Sequence, residues 1–426
     1  MALLFLFLLM VLLNADQMVL SPNIALVEKE FGITDAQIGL VASSFTIVGA
    51  LVSLLWGYLS DRHNRKMLLI FSILVGEIPC LLTAFSRSFG ELFLWRTLTG
   101  IGVGASFPIV YSMLGDMFDQ VKRAKAVAWI ASSMSVGSVL GLAIAGFLGP
   151  RFGWRVPFIV VSVPNVALAL VALFVLKEPA RGAYEKGIGE LVQAGYAYPK
   201  LPKPEDYLKL VSVKTNLLLF LQGIAGTVPW GAIPYFLVEF FRRERGLSVE
   251  MGTVVFLVFG LGNVFGIVVG GLCGSALYKK SKAAVPIFCS LTTAFGVYLT
   301  VLTLDYRGGL LILCLLGFLA SFVASLTGPN VKFMLLNVNE PQDRGRIFSI
   351  FNLTDSLGTG IGKFAGGMMS VAFGSLAMAL KLSAYFWLIC AALLFALAFF
   401  FSRDVESLEA NMERLAVASG KVGESQ

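Results

Sequence analysis

The sequence predicts an all-α membrane protein: twelve transmembrane helices in two pseudo-symmetric six-helix bundles. Three observations carry that expectation. Of the 426 residues, 57% are hydrophobic and only 14% charged, whereas soluble domains carry about a quarter charged residues. Apolar runs long enough to cross a bilayer, about 20 residues each, recur twelve times along the chain. The chain also aligns with itself at an offset of 221 positions. That offset lays Pro108 on Pro329, Met113-Leu114 on Met334-Leu335, Arg123 on Arg344, and Gly137, Gly141 and Gly146 on Gly358, Gly362 and Gly367. A gapless repeat of this length means a duplicated structural unit.

Taken in order, the runs lie at 2–28, 35–59, 67–86, 90–115, 125–148 and 156–176, then 216–241, 249–277, 284–304, 309–336, 346–373 and 377–401. They sort into an N-terminal bundle (1–176), an interdomain linker (177–215), a C-terminal bundle (216–401) and a tail (402–426). Pro199, Pro202 and Pro204 break any long helix in the linker. The first run has no basic residue before Lys29, so it reads as a spanning helix rather than a cleaved signal. Treated as one continuous helix, it puts Asn14, Gln17 and Ser21 on one face and Asp16 and Asn23 nearly opposite. Neither side suits lipid, so span 1 is expected at the centre of its bundle. In spans 7 and 10, Pro229, Pro234 and Pro329 are expected to act as breaks that bend.

Orientation follows from the basic residues of the loops. With the N-terminus inside, 21 lysines and arginines fall in cytoplasmic segments and 8 in outer ones. Both termini are therefore expected in the cytoplasm, at the cell (inner) membrane. The net charge of +7 is accounted for as a topology signal, and no nucleic-acid partner is expected. Cys80, Cys273, Cys289, Cys314 and Cys390 sit in apolar stretches without metal-ligand spacing, and His63 is the one histidine. No metal and no cofactor are expected. No phosphate-binding P-loop occurs, and no span holds a nucleophile-base pair. A membrane-embedded lipid enzyme therefore stands as a distant alternative.

The loop after span 2 reads Gly57-Tyr-Leu-Ser-Asp61-Arg62-His63-Asn64-Arg65-Lys66. It resembles the signature loop of the major facilitator superfamily, G-x-L-x-D-R-x-G-R-K. Gly57 would let two helices approach closely, and Asn64 stands in for a glycine because asparagine visits left-handed conformations more readily than most residues. The resemblance implies a cytoplasmic gate of Gly57, Asp61, Arg62, Arg65, Arg123 and Arg344. Its second-half counterpart keeps Lys279 and Lys280 but lacks the acid. Arg96-x-x-x-Gly100-x-Gly102 in span 4 resembles the superfamily's second motif, whose arginine is associated with proton coupling. Span 5 has the antiporter glycine spacing, with Leu142 in place of that motif's proline. Asp16, the Phe152-Gly-Trp-Arg155 turn and Lys177-Glu-Pro-Ala-Arg181-Gly are similar to Spinster-like lipid transporters. Gln17 and Val103 depart from that branch, which has arginine and glutamate there.

A charge at the bilayer centre costs about 2.5–3.5 kcal/mol on insertion scales, so each one needs a reason. Lys332 and Lys381 lie near helix ends and are expected to snorkel. Asp16 lies about 21 Å along span 1 and Arg96 about 9 Å from the outer start of the antiparallel span 4, which is the same depth. Asp16 is expected to carry the proton and Arg96 to interact with it in a protonation-dependent way; a permanent structural ion pair is the alternative. Asp355 and Lys363, eight residues apart on span 11, read as a second titrating site or substrate contact, or as packing. Glu77, before Pro79, is a third coupling candidate, or a neutral acid bonded to backbone freed by the proline. Asn14, Gln17, Trp230, Tyr235, Asn330 and Lys363 are the expected substrate contacts. Two such bundles are expected to rock about a midplane site. The function expected is proton-coupled secondary transport of an amphipathic or lipid-like solute such as a lysophospholipid; export of drugs, or transport of a sugar or organic anion, is the alternative. The expected partners are that small-molecule or lipid substrate, protons and the lipid bilayer, with the chain a monomer.

Overall fold

A computed structural model describes residues 2–118, 120–179, 210–340 and 343–418. Among them all regular structure is helical. In chain order the helices are α1 (Ala2–Ala15), α2 (Ile24–Phe31), α3 (Asp35–Arg62), α4 (Arg65–Thr83), α5 (Phe89–Met117), α6 (Gln120–Phe152), α7 (Arg155–Val175), α8 (Lys214–Arg245), α9 (Val249–Lys280), α10 (Ala284–Asp305), α11 (Leu310–Ser325), α12 (Gly328–Asn337), α13 (Arg344–Phe373), α14 (Leu376–Leu397) and α15 (Phe401–Ala418). Eleven helical segments are long and apolar enough to cross a membrane, counting α1–α2 and α11–α12 as one each. With α13, whose 30 residues reach about 45 Å, they make twelve. Most of the expected linker, 180–209, and the last eight residues of the tail lie outside the described residues.

The described residues group into two compact units that cut across the sequence halves. The first takes Met1–Lys200, Gly231–Leu257 and Gly360–Ala379; the second takes Leu201–Trp230, Val258–Thr359 and Leu380–Gln426. In the first, Leu6, Leu9, Met10 and Leu13 of α1 share a core with Leu69 and Ile73 of α4, Ile109 and Met113 of α5, and Ala169 and Ala172 of α7. In the second, Leu219 and Phe220 of α8 pack with Met334 and Leu335 of α12, Phe351 of α13 and Leu394 and Leu397 of α14.

Lipid tails are as apolar as leucine, so helices in a bilayer associate through close packing of small residues. Gly141 of α6 lies so near α1 that a Cβ there would come 2.6 Å from the Ala15 carbonyl carbon. In the second unit, Gly262, Gly266 and Gly270 of α9 lie against backbone atoms of Phe318, Phe322 and Leu326 along the end of α11. Gly270 is the repeat image of Gly49, and Gly49 lies in the same way on Gly100 of α5. The duplication read in the sequence therefore reappears as the same helix-on-helix contact in each half.

Two spans are broken. Span 1 is not the continuous helix assumed above: α1 gives way at Asp16 to two short 3-10 turns, Asp16–Met18 and Ser21–Asn23, before α2 begins. Pro22 has no N–H to donate to an α-helical ladder, and the tighter turns hold three residues each. Span 10 breaks between α11 and α12, with Pro329 in the first turn of α12. By contrast α8 runs unbroken through Pro229 and Pro234. Beyond α14, helix α15 buries Phe401 and Val405. Its Asp404 accepts from Thr215 N at 3.0 Å, and its Glu409 pairs with Lys282 at 2.8 Å, holding that ammonium above the ordinary lysine range.

Candidate functional site

The first unit buries a group of charges where span 1 is broken. Asp16 is fully buried, and neither carboxylate oxygen has a hydrogen-bond partner. Arg96 of α5 reaches it: Nη1 stands 3.8 Å from Asp16 Oδ2, and Nη2 donates to the Asp16 main-chain carbonyl at 3.1 Å. The guanidinium lies over Phe45 at 4.7 Å and Phe158 at 5.5 Å, faces that suit a cation. The same main-chain carbonyl of Asp16 accepts from Val19 N at 3.4 Å within the 3-10 turn, so at the break it is shared between the turn and Arg96.

Lys363 of α13 belongs to the same group, a placement the sequence reading missed by pairing it with Asp355. Its Nζ donates to Thr46 Oγ1 of α3 at 2.8 Å and lies 5.5 Å from the centre of the Tyr235 ring. It is near enough for its charge to act on both Asp16 and Arg96. Two cations and one acid thus form one buried group, with Phe45 and Phe158 against Arg96 and Tyr235 against Lys363. Glu77, also fully buried, accepts from Asn165 Nδ2 of α7 at 2.6 Å and leaves Oε2 without a partner. No pattern within one helix places Lys363 here, because Thr46, Arg96 and Asp16 lie more than 260 residues away in the chain.

The other expected contacts separate into two kinds. Asn14 and Gln17 bond each other at 2.7 Å, and Asn14 also donates back to Met10 O at 2.7 Å. In the second unit, the Trp230 ring meets Trp387 and Phe259 edge-on, and Trp387 Nε1 donates to Gly226 O at 2.8 Å. The Asp355 carboxylate lies where a Cβ on Gly223 would come within 2.8 Å of it, and its main-chain carbonyl accepts from Thr227 at 2.9 Å. Asn330 corrects the expectation of a cavity contact. Its amide donates to Gly270 O at 2.9 Å and Leu326 O at 2.8 Å, which commits it to joining α9 and the break before α12. Lys381 pairs with Asp305 at the end of α10.

At the end expected to face the cytoplasm, Arg65 is almost wholly buried. It pairs with Asp116 of α5 and with Glu178 at 2.9 Å, and donates to the carbonyls of Ser112 at 3.3 Å and Pro179 at 2.7 Å. Glu178, from the Lys-Glu-Pro stretch, also accepts from Lys66 N at 2.8 Å. Arg62 lies outside this knot, over the Tyr58 ring at 4.3 Å. The side chains of Asp61, Arg123 and Arg344 fall outside the described part of the structure. Two details differ from the sequence reading. Asn64 is not left-handed; at φ −65° and ψ 113° it caps α4, its side chain accepting from Met67 N at 2.9 Å. Such a cap satisfies an otherwise orphaned helix donor. Gly57 is not a close-contact glycine either, since a Cβ there would meet no atom nearer than Pro108 Cβ at 4.0 Å.

At the opposite end, the Phe152-Gly-Trp-Arg turn is a clamp. Glu30 Oε2 accepts from Trp154 Nε1 at 2.7 Å and Arg155 Nη1 at 2.5 Å, while Arg155 Nη2 donates to Ser86 O at 2.9 Å. Near it, Arg243 gathers Glu28, Asp35 and Glu239, which the sequence reading had counted only as loop and helix-end charges. The Glu239, Arg242, Arg243 spacing was the signal available for part of this group, because residues three and four apart share a helix face.

Known proteins give these observations a context. The family model described as Major Facilitator Superfamily matches residues 6–327. The hexuronate transporter of Bacillus subtilis (strain 168) is 24% identical over 356 residues, covering 81% of this chain and 81% of the relative. The probable sulfoacetate transporter of Cupriavidus necator is 23% identical over 362 residues, covering 84% and 80%. Among solved structures, a bacterial homolog of the human lysosomal transporter Spinster, inward-facing and unoccupied, superposes with a TM-score of 0.82 at 20% identity, covering 94% of this chain and 97% of that one. A D-xylose-proton symporter superposes at 0.73 with 16% identity, covering 94% and 96%.

Proposed function

The chain belongs to the Major Facilitator Superfamily, a family of membrane transporters rather than enzymes, and from that premise we propose that it is a proton-coupled secondary transporter of an amphipathic anion such as a lysophospholipid. The observation that carries this reading is the company of Asp16, with Arg96 at 3.8 Å and the buried Lys363 within electrostatic reach. Asp16 neutralises one of two cations when ionised. Protonated, it leaves Arg96 and Lys363 free to bind an anionic head group, so proton uptake and solute binding favour each other. The aromatic rings of Phe45, Phe158 and Tyr235 supply an apolar wall for the rest of the solute. Asp355 and Glu77 are the further protonatable acids, and Trp230 is a contact in the second unit. Arg65 and the Gly57–Lys66 loop act as the cytoplasmic gate, with both termini on that side of the cell membrane and the chain working as a monomer.

A second reading has a specific ground. Two relatives are named for hexuronate and sulfoacetate, both small organic anions, and the same pair of cations suits a carboxylate or sulfonate. Flux into proteoliposomes under an imposed pH gradient separates the two. Uptake of lysophospholipid with no competition from hexuronate supports the lipid reading. Uptake of the sugar acid alone replaces it with the second, and indifference to the gradient removes proton coupling from both.

A further inference from the structure

We propose that Arg243 is the gating residue of the end expected to face outward, a guanidinium that must let go of first-half helices before that end opens. Every nitrogen of its head group is engaged. Nη1 and Nη2 hold both oxygens of Asp35 at 2.6 and 3.1 Å, Nη2 holds Glu28 at 2.9 Å, and Nε holds Glu239 at 3.0 Å. Glu28 comes from α2 and Asp35 opens α3, whereas Arg243 and Glu239 stand on α8, more than 200 residues later. The bidentate fork is a geometry that arginine provides and lysine does not.

Three features make this a latch rather than a decoration. Asp35 is 4% exposed on its side chain, so parting it from Arg243 strands a buried carboxylate, a cost surface pairs do not carry. Arg243 itself is 34% exposed, so water can reach the fork and replace its partners as it opens. The surroundings are arranged to meet it. Ser370 of α13 donates to Asp35 Oδ2 at 2.6 Å, Arg242 holds Glu239 at 2.9 and 2.7 Å, and Ser21 donates to Tyr235 O at 2.5 Å. A Cβ on Gly367 would come 2.8 Å from the Asp35 carbonyl carbon, so α3 and α13 touch backbone to backbone beside the fork. On release the group divides unequally. Glu28 and Asp35, hydrogen-bonded to each other, leave together, while Arg242 and Arg243 stay with Glu239. Closure is thereby favoured by attraction, and the open state by hydration of the separated carboxylates.

The proposal rests on alternating access but not on any choice of solute, so it can fail independently of the lysophospholipid reading. Spin labels at Lys29→Cys and Met251→Cys, both exposed sites outside the fork, report the opening by electron-electron resonance in full-length protein in lipid nanodiscs, with Cys273 and Cys314 replaced by serine. Wild type should give a short distance, and Arg243→Ala should raise a longer-distance population about tenfold. The Asp35→Arg/Arg243→Asp exchange should return the distribution toward wild type. Should Arg243→Ala prove not monodisperse, Glu28→Gln combined with Asp35→Asn keeps the side-chain shapes and must raise the same longer distance. Distributions indistinguishable from wild type in the folded variants overturn the proposal.

Discussion

Replacing Asp16 with Asn keeps the shape of a fully buried side chain and removes its charge. Arg96 Nη1 stands 3.8 Å from Asp16 Oδ2, where opposite unit charges attract by about 4 kcal/mol at an effective dielectric constant near 20. The variant forfeits that attraction. Arg96 nonetheless keeps its 3.1 Å bond to the main-chain carbonyl of residue 16 and its stacking on Phe45 and Phe158, so the local fold survives. What disappears is a carboxylate able to take up and release a proton in each cycle. One proton crossing one pH unit releases about 1.4 kcal/mol, which at one proton per solute sustains about tenfold accumulation. In proteoliposomes holding a one-unit gradient, wild type should concentrate its solute about tenfold. Asp16→Asn should only equilibrate it, while still exchanging labelled for unlabelled solute. An Asp16→Asn protein that accumulates solute as wild type does would refute the coupling role and leave Asp16 and Arg96 as a permanent structural pair.

Further outcomes follow from the same contacts. Lys363→Gln should weaken binding of the anionic solute by about 10- to 100-fold, the range of a charge-assisted hydrogen bond, and leave a neutral analogue unaffected; equal losses measured for both by calorimetry would contradict a head-group role. Arg65→Ala should cost about 3 kcal/mol, because it leaves Asp116 and Glu178 without their cation. Arg65→Lys should recover only part of it, and a lysine variant melting with wild type in detergent would count against the forked geometry. Gly141→Ala should destabilise by about 1–3 kcal/mol through overpacking against the Ala15 backbone, whereas Gly115→Ala, with nothing within 4 Å, should gain up to about 1 kcal/mol of helix propensity. Thermal melting of the pair checks both signs.

The spans and the duplication were legible because they depend on properties local to each segment: apolar length, loop charge and a fixed offset. The common depth of Asp16 and Arg96 could be worked out for a similar reason, since rise per residue converts sequence into depth within a single span. Lys363 could be expected as a substrate contact but not placed beside Arg96, because the same arithmetic relates it to Asp355, its neighbour on one helix, and says nothing about which helix from the other half lies opposite. Glu28, Asp35 and Arg243 were hidden among loop charges, where sign and count are informative but pairing is not. Asn330 was polar and mid-span, which fits a cavity and a packing bond equally well until its two carbonyl partners are seen. The turn at Asp16 was missed because Pro22 lies six residues beyond it, and the signal was read as a face pattern instead of a break.

Helix α13 has a consequence for how the protein is made. It carries Arg344, Arg346, Asp355 and Lys363 and is the one expected span absent from the described helices that are apolar enough to cross a membrane. Asp355 and Lys363 together impose about 5–7 kcal/mol on entry into lipid by itself. Those charges work against seating α13 in lipid by its own hydrophobicity. The span that follows, α14, with buried Trp387 and Leu394, is apolar enough to cross by itself. The eleventh span therefore depends for its place on the first half of the chain, where Lys363 meets Thr46, more than on its own apolarity.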